Sequence, residues 1–285
     1  MATLLALGSA LGFGTAFVLT QFALRWMPPW LGAAFSVSTS TLVFWCMAPF
    51  FVDTARADLG AAALFACVGL LFPATVTLLN FESNRLMGPN IAGAVSGLAP
   101  VFAVLLALTF LGETIRAPQI SALVAIAGGI MLMYQGQLRI LPPGSFLILF
   151  LPLAAAAIRG AVQPIIKFGL ERWPSPIAAV VIGYSVSSAV LVLVALVRNR
   201  ASGRKFDYRG ALWFAAVGLA NGSAVLSLYA ALGRGPVTLV SPLVASYPLV
   251  TLLLSFLFLK QERVGPQLVA AVAITVAGVI LLLIT

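Results

Sequence analysis

The chain has 285 residues, 62% of them hydrophobic and only 8% charged, with 16 lysines and arginines against 7 acids and no histidine. A water-soluble domain carries roughly a quarter of its residues as charges, so a soluble fold is excluded, and the missing imidazole removes histidine zinc sites and Ser-His-Asp triads. The net charge of +9 is therefore loop charge that orients a membrane chain and meets anionic headgroups, not a surface for nucleic acid.

In chain order, ten apolar runs are expected to span the bilayer: 3–24, 30–52, 58–82, 88–111, 117–135, 145–168, 175–197, 209–232, 236–259 and 265–284. Each is long enough to cross a hydrocarbon core of about 30 Å at about 1.5 Å per residue. Met1-Ala2-Thr3-Leu4 lacks the basic stretch of a cleaved signal, so the first run is expected to serve as its own insertion signal. Breaks are marked by Pro28-Pro29, Asp53 to Asp58, Gly88-Pro89, Pro142-Pro143-Gly144, Pro174 to Pro176 and Gly235-Pro236. The longest loop, Arg198 to Arg209, holds five basic residues and one acid. Helices are the expected spanning element, because open sheet edges go unsatisfied in lipid and the runs are too uniformly apolar for a membrane barrel. Cys46 and Cys67 lie inside apolar runs and read as small buried hydrophobes.

The runs repeat. Gly88-Pro89 opens one, Pro100 interrupts it and Leu111-Gly112-Glu113 closes it; Gly235-Pro236, Pro248 and Lys260-Gln261-Glu262 do the same about 148 residues later. Ala127-Gly128-Gly129-Ile130 falls opposite Val276-Ala277-Gly278-Val279, and Gly14 to Pro28 aligns with Gly160 to Pro174 without a gap. A period of five runs is odd, so the second copy enters the membrane the opposite way round, as in alternating-access transporters with a midplane site. The expected fold is an all-α membrane protein of ten transmembrane helices, as two inverted five-helix repeats over residues 1–135 and 145–285. The proline-interrupted helix ending Leu111-Gly112-Glu113, followed by a helix with paired glycines, resembles the drug/metabolite transporter superfamily, and within it the EamA-type ten-helix exporters. Lys260-Gln261-Glu262 departs from the usual Leu-Gly-Glu. The resemblance implies export of small solutes, an inner-membrane location and both termini in the cytoplasm. Loop charge points the other way: ten lysines and arginines lie in the loops after the odd-numbered spans and four in the others, which by the positive-inside rule puts the termini outside.

Polar groups that persist within lipid usually face a bundle interior or a water-filled cavity. Arg159, Gln163 and Lys167 stand four residues apart on one face of the sixth span, within about 12 Å of axis. Their counterparts in the first span are Phe13, Phe17 and Gln21, so a cavity between the two would offer cationic and amide donors opposite aromatic rings. Two readings of Lys167 stand, cavity lining or snorkelling to the interface; Arg159, at mid-span, either lines the cavity or pairs with a carbonyl or Glu82. Asn80 and Glu82 near the end of the third span match Asn221 and Tyr229 in the eighth. Glu82 is the acid available to carry a coupling proton, or else to pair with Arg85 at the membrane surface. Pro100 and Pro248 are candidate gating hinges. Tyr184, Tyr247, Ser241 and Ser246 are weaker candidates, since packing explains most such residues. Gly8 to Gly12 and Gly93 to Gly97 are GxxxG spacings for close helix contact, and Gly12-Phe13-Gly14 lacks the context of a phosphate loop.

The expected function is secondary transport: export of amino acids or related metabolites by alternating access, without catalytic residues, cofactor or metal. The partners are a small-molecule substrate and the lipid bilayer, with the chain acting as a monomer. Carriage of an organic anion or nucleotide-sugar-like solute is the rival within transport. A membrane-embedded enzyme or lipid-handling scaffold is the rival outside it, and the absence of histidine and of clustered acids argues against hydrolytic chemistry.

Overall fold

The computed structural model describes residues 1–139, 146–202, 207–259 and 266–284. Pro142-Pro143-Gly144, the Arg204-Lys205 pair and Lys260-Gln261-Glu262 lie outside them. The described residues are helical throughout and contain no strand: α1 Ala2–Ala23, α2 Pro29–Phe51, α3 Leu59–Gly69, α4 Val76–Ser96, α5 Ala99–Phe110, α6 Ala117–Arg139, α7 Phe146–Arg172, α8 Pro176–Ser202, α9 Tyr208–Leu232, α10 Val237–Val244, α11 Tyr247–Leu259 and α12 Pro266–Ile284. Eight helical stretches among them are long and apolar enough to cross a membrane. Seven match expected spans one for one. The eighth, Leu59–Phe110, runs 52 residues and covers the third and fourth together, while Ala117–Met133 is a shorter apolar helix.

Local chemistry sets these ends. Pro29 opens α2, where a missing N–H costs nothing. The Asp58 carboxylate caps α3 by accepting from the Ala61 N–H at 2.6 Å, and Asp207 caps α9 by accepting from the Arg209 N–H at 2.8 Å. Gly88 takes φ +78°, a conformation open to glycine, and divides α4 ahead of Pro89. Between α3 and α4 the helix loosens into a π-turn over Leu70–Thr75, with Phe72 in an extended conformation. A broken helix survives in lipid only where its freed backbone groups find partners. Here Ser187 of α8 supplies both: its hydroxyl donates to the Gly69 carbonyl and accepts from the Ala74 N–H.

The helices are apolar all round, so what distinguishes their faces is size. On α1 the buried stripe is Ala6, Ser9, Ala10, Phe13, Gly14, Ala16, Phe17, Thr20 and Ala23 at helical spacing, whereas Leu4 and Leu11 stay exposed. Small and hydroxyl residues face the bundle and large aliphatics face outward, the distribution expected where lipid is the outer solvent. The expectation for the cysteines is corrected: Cys46 and Cys67 are both exposed, because they lie off the buried faces of their helices, which carry Thr41 and Phe44 on α2 and Phe65 and Val68 on α3.

α1 packs chiefly on α9 and on α10–α11, α2 on α8 and α9, α7 on α3, α4 and α5, and α6 on α12. Close approach needs glycine at several crossings. A Cβ on Gly12 would lie 2.9 Å from the Ala220 carbonyl, on Gly218 3.2 Å from the Ser36 Cα, and on Gly69 3.0 Å from the Gly183 Cα.

Candidate functional site

Near the middle of α7, Arg159 turns into the centre of the bundle and is 4% exposed. Its guanidinium carbon sits 4.6 Å from the centroid of the Phe13 ring, 5.7 Å from that of Tyr247 and 5.9 Å from that of Phe72. The Tyr184 and Tyr247 side chains are within electrostatic range. No carboxylate pairs with it among the described residues, and its Nε and Nη1 donate to nothing. Gly160 beside it lets α7 press against the start of α5, where a Cβ would come within 2.6 Å of the Phe102 Cβ.

Arg159 lines a narrow cavity of about 20 Å³ with Phe17, Thr20, Phe72, Thr77, Asn80, Asn84 and Asn221 among its neighbours. That volume holds a water and excludes an organic solute, so the site is closed around its polar groups in this conformation. Phe17 stacks on Tyr247 with centroids 5.4 Å apart, and the Tyr247 hydroxyl donates to the Gly93 carbonyl at 3.0 Å. Ser96 donates to the Asn80 side-chain carbonyl at 2.9 Å, and the Asn84 amide donates to the Phe17 carbonyl at 2.8 Å, tying α4 to α1. These bonds fix the walls and leave Arg159 with unused donors.

Of the residues singled out from sequence, Phe13, Phe17, Asn80, Arg159 and Asn221 come together here. Gln163 is buried beside them, but its amide donates to the Arg159 carbonyl at 3.3 Å on its own helix, and its Oε1 has no partner. Gln21 is also left with an unpartnered Oε1 and does not line the cavity. Tyr229 is buried outside the lining. Lys167 is resolved as a structural contact: its ammonium donates to the Gly235 carbonyl at 3.0 Å and lies 3.8 Å from Glu171. Glu82 does not reach Arg159; it pairs with Arg85 one turn on, because three residues along a helix bring the two side chains together. Pro100 and Pro248 stand at the second residue of α5 and α11, each just after a break that ends the preceding helix. Phe72, Ser96 and Asn84 escaped the sequence reading. Phe72 carried a signal, since the residue before a proline is biased out of the helix.

Glu113 has a role that its motif explains. Gly112 adopts φ +63°, turning the chain so that both oxygens of the Glu113 carboxylate accept from the start of α10, from the Val237 N–H at 2.8 Å and the Thr238 N–H at 2.9 Å. With Lys167 on Gly235, this clamps the first turn of α10 to α5 and α7.

A solved crystal structure superposes with a TM-score of 0.77 at 20% identity, covering 98% of this chain and 95% of its own, a likeness of fold. No curated protein matches the chain. The model of the EamA-like transporter family, a family of transporters and not of enzymes, matches residues 1–135 and again 146–284. With apolar membrane-length helices around a buried polar site, the chain belongs to the EamA-like transporter family and is a multi-pass membrane transporter of small solutes.

Proposed function

We propose that the protein is a secondary transporter that exports small organic solutes, amino acids foremost, by alternating access across the inner membrane. The observation that carries this is Arg159, a buried cation with free donors, no paired carboxylate among the described residues and aromatic rings about it. Its donors suit a carboxylate, the Asn80 and Asn221 amides a polar end, and Phe13 and Phe17 an apolar side chain. Pro100 and Pro248 are the hinges, and Glu82 is the acid that proton coupling would use. Both termini are proposed to face the cytoplasm.

The architecture proposed is ten crossings in two inverted repeats. Leu59–Phe110 counts as two of them, because 52 residues of helix would measure about 78 Å, more than twice the hydrocarbon core of about 30 Å. Ala117–Met133 is another. Packing supports the repeats: when α1 is set against α7, α2 against α8 and α3–α4 against α9, the chief contacts exchange. α1 on α9 becomes α7 on α3–α4, and α2 on α8 and α6 on α12 map onto themselves.

The test is purified protein in proteoliposomes, given a panel of labelled amino acids and sugars with and without a proton gradient. Competitive exchange of amino acids is the expected result. Exchange of no solute under any gradient would overturn the proposal. Arg159 also suits an organic anion, and paired analogues separate the two: at an anion site a carboxylate or phosphate lacking the amino group still competes and a carboxylate- and phosphate-free analogue does not, whereas an amino-acid site needs both the amino group and the carboxylate.

A further inference from the structure

A second, larger pocket of about 690 Å³ opens at the end of the bundle where α1 and α8 finish and α2 and α7 begin. Arg25, Arg85 and Arg198 line it with Trp26, Trp30 and Glu82, above a floor that includes Leu24, Leu78, Leu79 and Leu151. It is separate from the central cavity. α4 gives the cavity Thr77, Asn80, Phe81 and Asn84, whereas it gives this pocket Leu78, Leu79, Glu82 and Arg85, on another side of the same turns.

Where α2 and α7 finish and α3 and α8 begin, three basic residues have acids: Arg56 lies 3.5 Å from Asp53, Arg172 3.2 Å from Asp58 and Lys167 3.8 Å from Glu171, while Arg116 and Arg234 pair with none among the described residues. At the pocket end, Glu82 is taken by Arg85. Arg25 rests over the Phe22 ring, Arg209 over the Trp26 ring, and Arg198 has no acid; none of these three pairs with a carboxylate among the described residues.

We propose that this pocket seats the phosphate headgroup of an anionic phospholipid, with its acyl chains over the leucine floor. Guanidinium forks match phosphate oxygens in pairs, which an ammonium cannot do. The two tryptophans mark the headgroup level, where rings with one polar edge collect. A charged rim over an apolar floor fits a molecule with a charged head and apolar tails, and the helix ends are where bilayer headgroups lie. The charge comes from Arg25 and Arg198, because Arg85 is already neutralised by Glu82.

The test is native mass spectrometry of the whole protein, delipidated in neutral detergent and titrated with phosphatidylglycerol, phosphatidylcholine or soluble glycerol phosphate. Because it reads binding and needs no transport, its outcome stands apart from the export proposal. Phosphatidylglycerol should bind in preference to phosphatidylcholine. Arg25→Gln and Arg198→Gln should each weaken it roughly five-fold and together roughly thirty-fold, while Arg25→Lys with Arg198→Lys recovers part of the loss. Equal binding of the two lipids, or an unchanged affinity in the double glutamine variant, overturns the site. Displacement of the lipid by glycerol phosphate at matching concentration overturns the lipid assignment and leaves a pocket for soluble phosphates.

Discussion

Arg159 sits where an isolated charge would cost at least about 2.5–3.5 kcal/mol on insertion scales. Three rings around it, each contributing about 0.5–2 kcal/mol as a cation–π partner, are enough to hold it there without an acid, yet they leave Nε and Nη1 free for a ligand. Arg159→Ala is therefore expected to leave folding intact and lower transport kcat/KM by about 10- to 150-fold, the loss of one charged hydrogen-bonding partner. Arg159→Lys should recover only part of it, because the planar fork is gone. The check is initial rates in proteoliposomes, together with reaction of Arg159→Cys, in a Cys46→Ala, Cys67→Ala background, with a water-soluble thiol reagent and protection by substrate. Normal transport by the alanine variant would assign Arg159 to packing. A second single-residue prediction concerns acid. The Ala61 N–H, and after it Arg172, hold the Asp58 carboxyl below the usual carboxylate range. A carboxyl depressed in the folded state stabilises it above the unfolded pKa of about 3.9 and loses that stabilisation as pH falls below it. Melting curves between pH 3 and pH 6 should show less acid sensitivity in Asp58→Asn, which keeps a capping oxygen, and a lower Tm near neutral pH in Asp58→Ala. Arg159 was legible from sequence because a cation in a long apolar run has few excuses. Tyr247 stood only among the weaker candidates, because a tyrosine in a membrane helix is usually packing, and the fold shows its ring against Phe17 and Arg159.

Seven of the helical stretches followed from the hydropathy runs to within a few residues at each end, since the length needed to cross lipid leaves little freedom, whereas the third and fourth runs form one stretch, Leu59–Phe110. The internal breaks were less legible. The π-turn at Leu70–Thr75 lies within one uninterrupted apolar run, and its repair by Ser187 comes from a helix more than a hundred positions away. Of the readings open for Glu82, the surface pair with Arg85 is the contact it makes, since Arg85 lies one turn along the same helix, and the alternative of a pair with Arg159 is not met. Two predictions test how the elements are joined. Removing the Glu113 carboxylate strips two N–H partners from the start of α10, so Glu113→Ala is expected to cost about 1–2 kcal/mol in unfolding, with Glu113→Gln losing less. The paired glycines of α6 differ sharply. A Cβ on Gly129 would lie 3.0 Å from the Ala271 carbonyl, while Gly128 faces open space. Gly129→Ala should therefore lower Tm by separating α6 from α12, and Gly128→Ala should leave it level or raise it slightly, as expected when a helical glycine gains a methyl group. Equal effects at the two positions would show that the crossing of α6 and α12 is not set by close approach.

For the molecule as a whole, the proposed inverted arrangement predicts that equivalent positions face opposite sides of the membrane. Arg25 and Glu171 are equivalent in the repeat alignment. In a background lacking Cys46 and Cys67, Arg25→Cys and Glu171→Cys should react with an impermeant maleimide from opposite faces of intact cells or vesicles. Labelling from one face alone would make the repeats parallel. That Arg159 has no counter-charge among the described residues has a further consequence for membrane voltage. In the proposed alternating-access cycle an empty carrier would hold a fixed positive charge deep within the electric field, and each change of access would alter the share of the potential which that charge feels, up to about 2.3 kcal/mol per 100 mV for a full charge across the full field. A bound amino acid is a zwitterion with no net charge, so the loaded and the empty carrier take the same net charge through the field and the potential acts on both alike. A bound organic anion would instead cancel the charge on Arg159 and leave the return of the empty protein as the step on which the membrane potential acts.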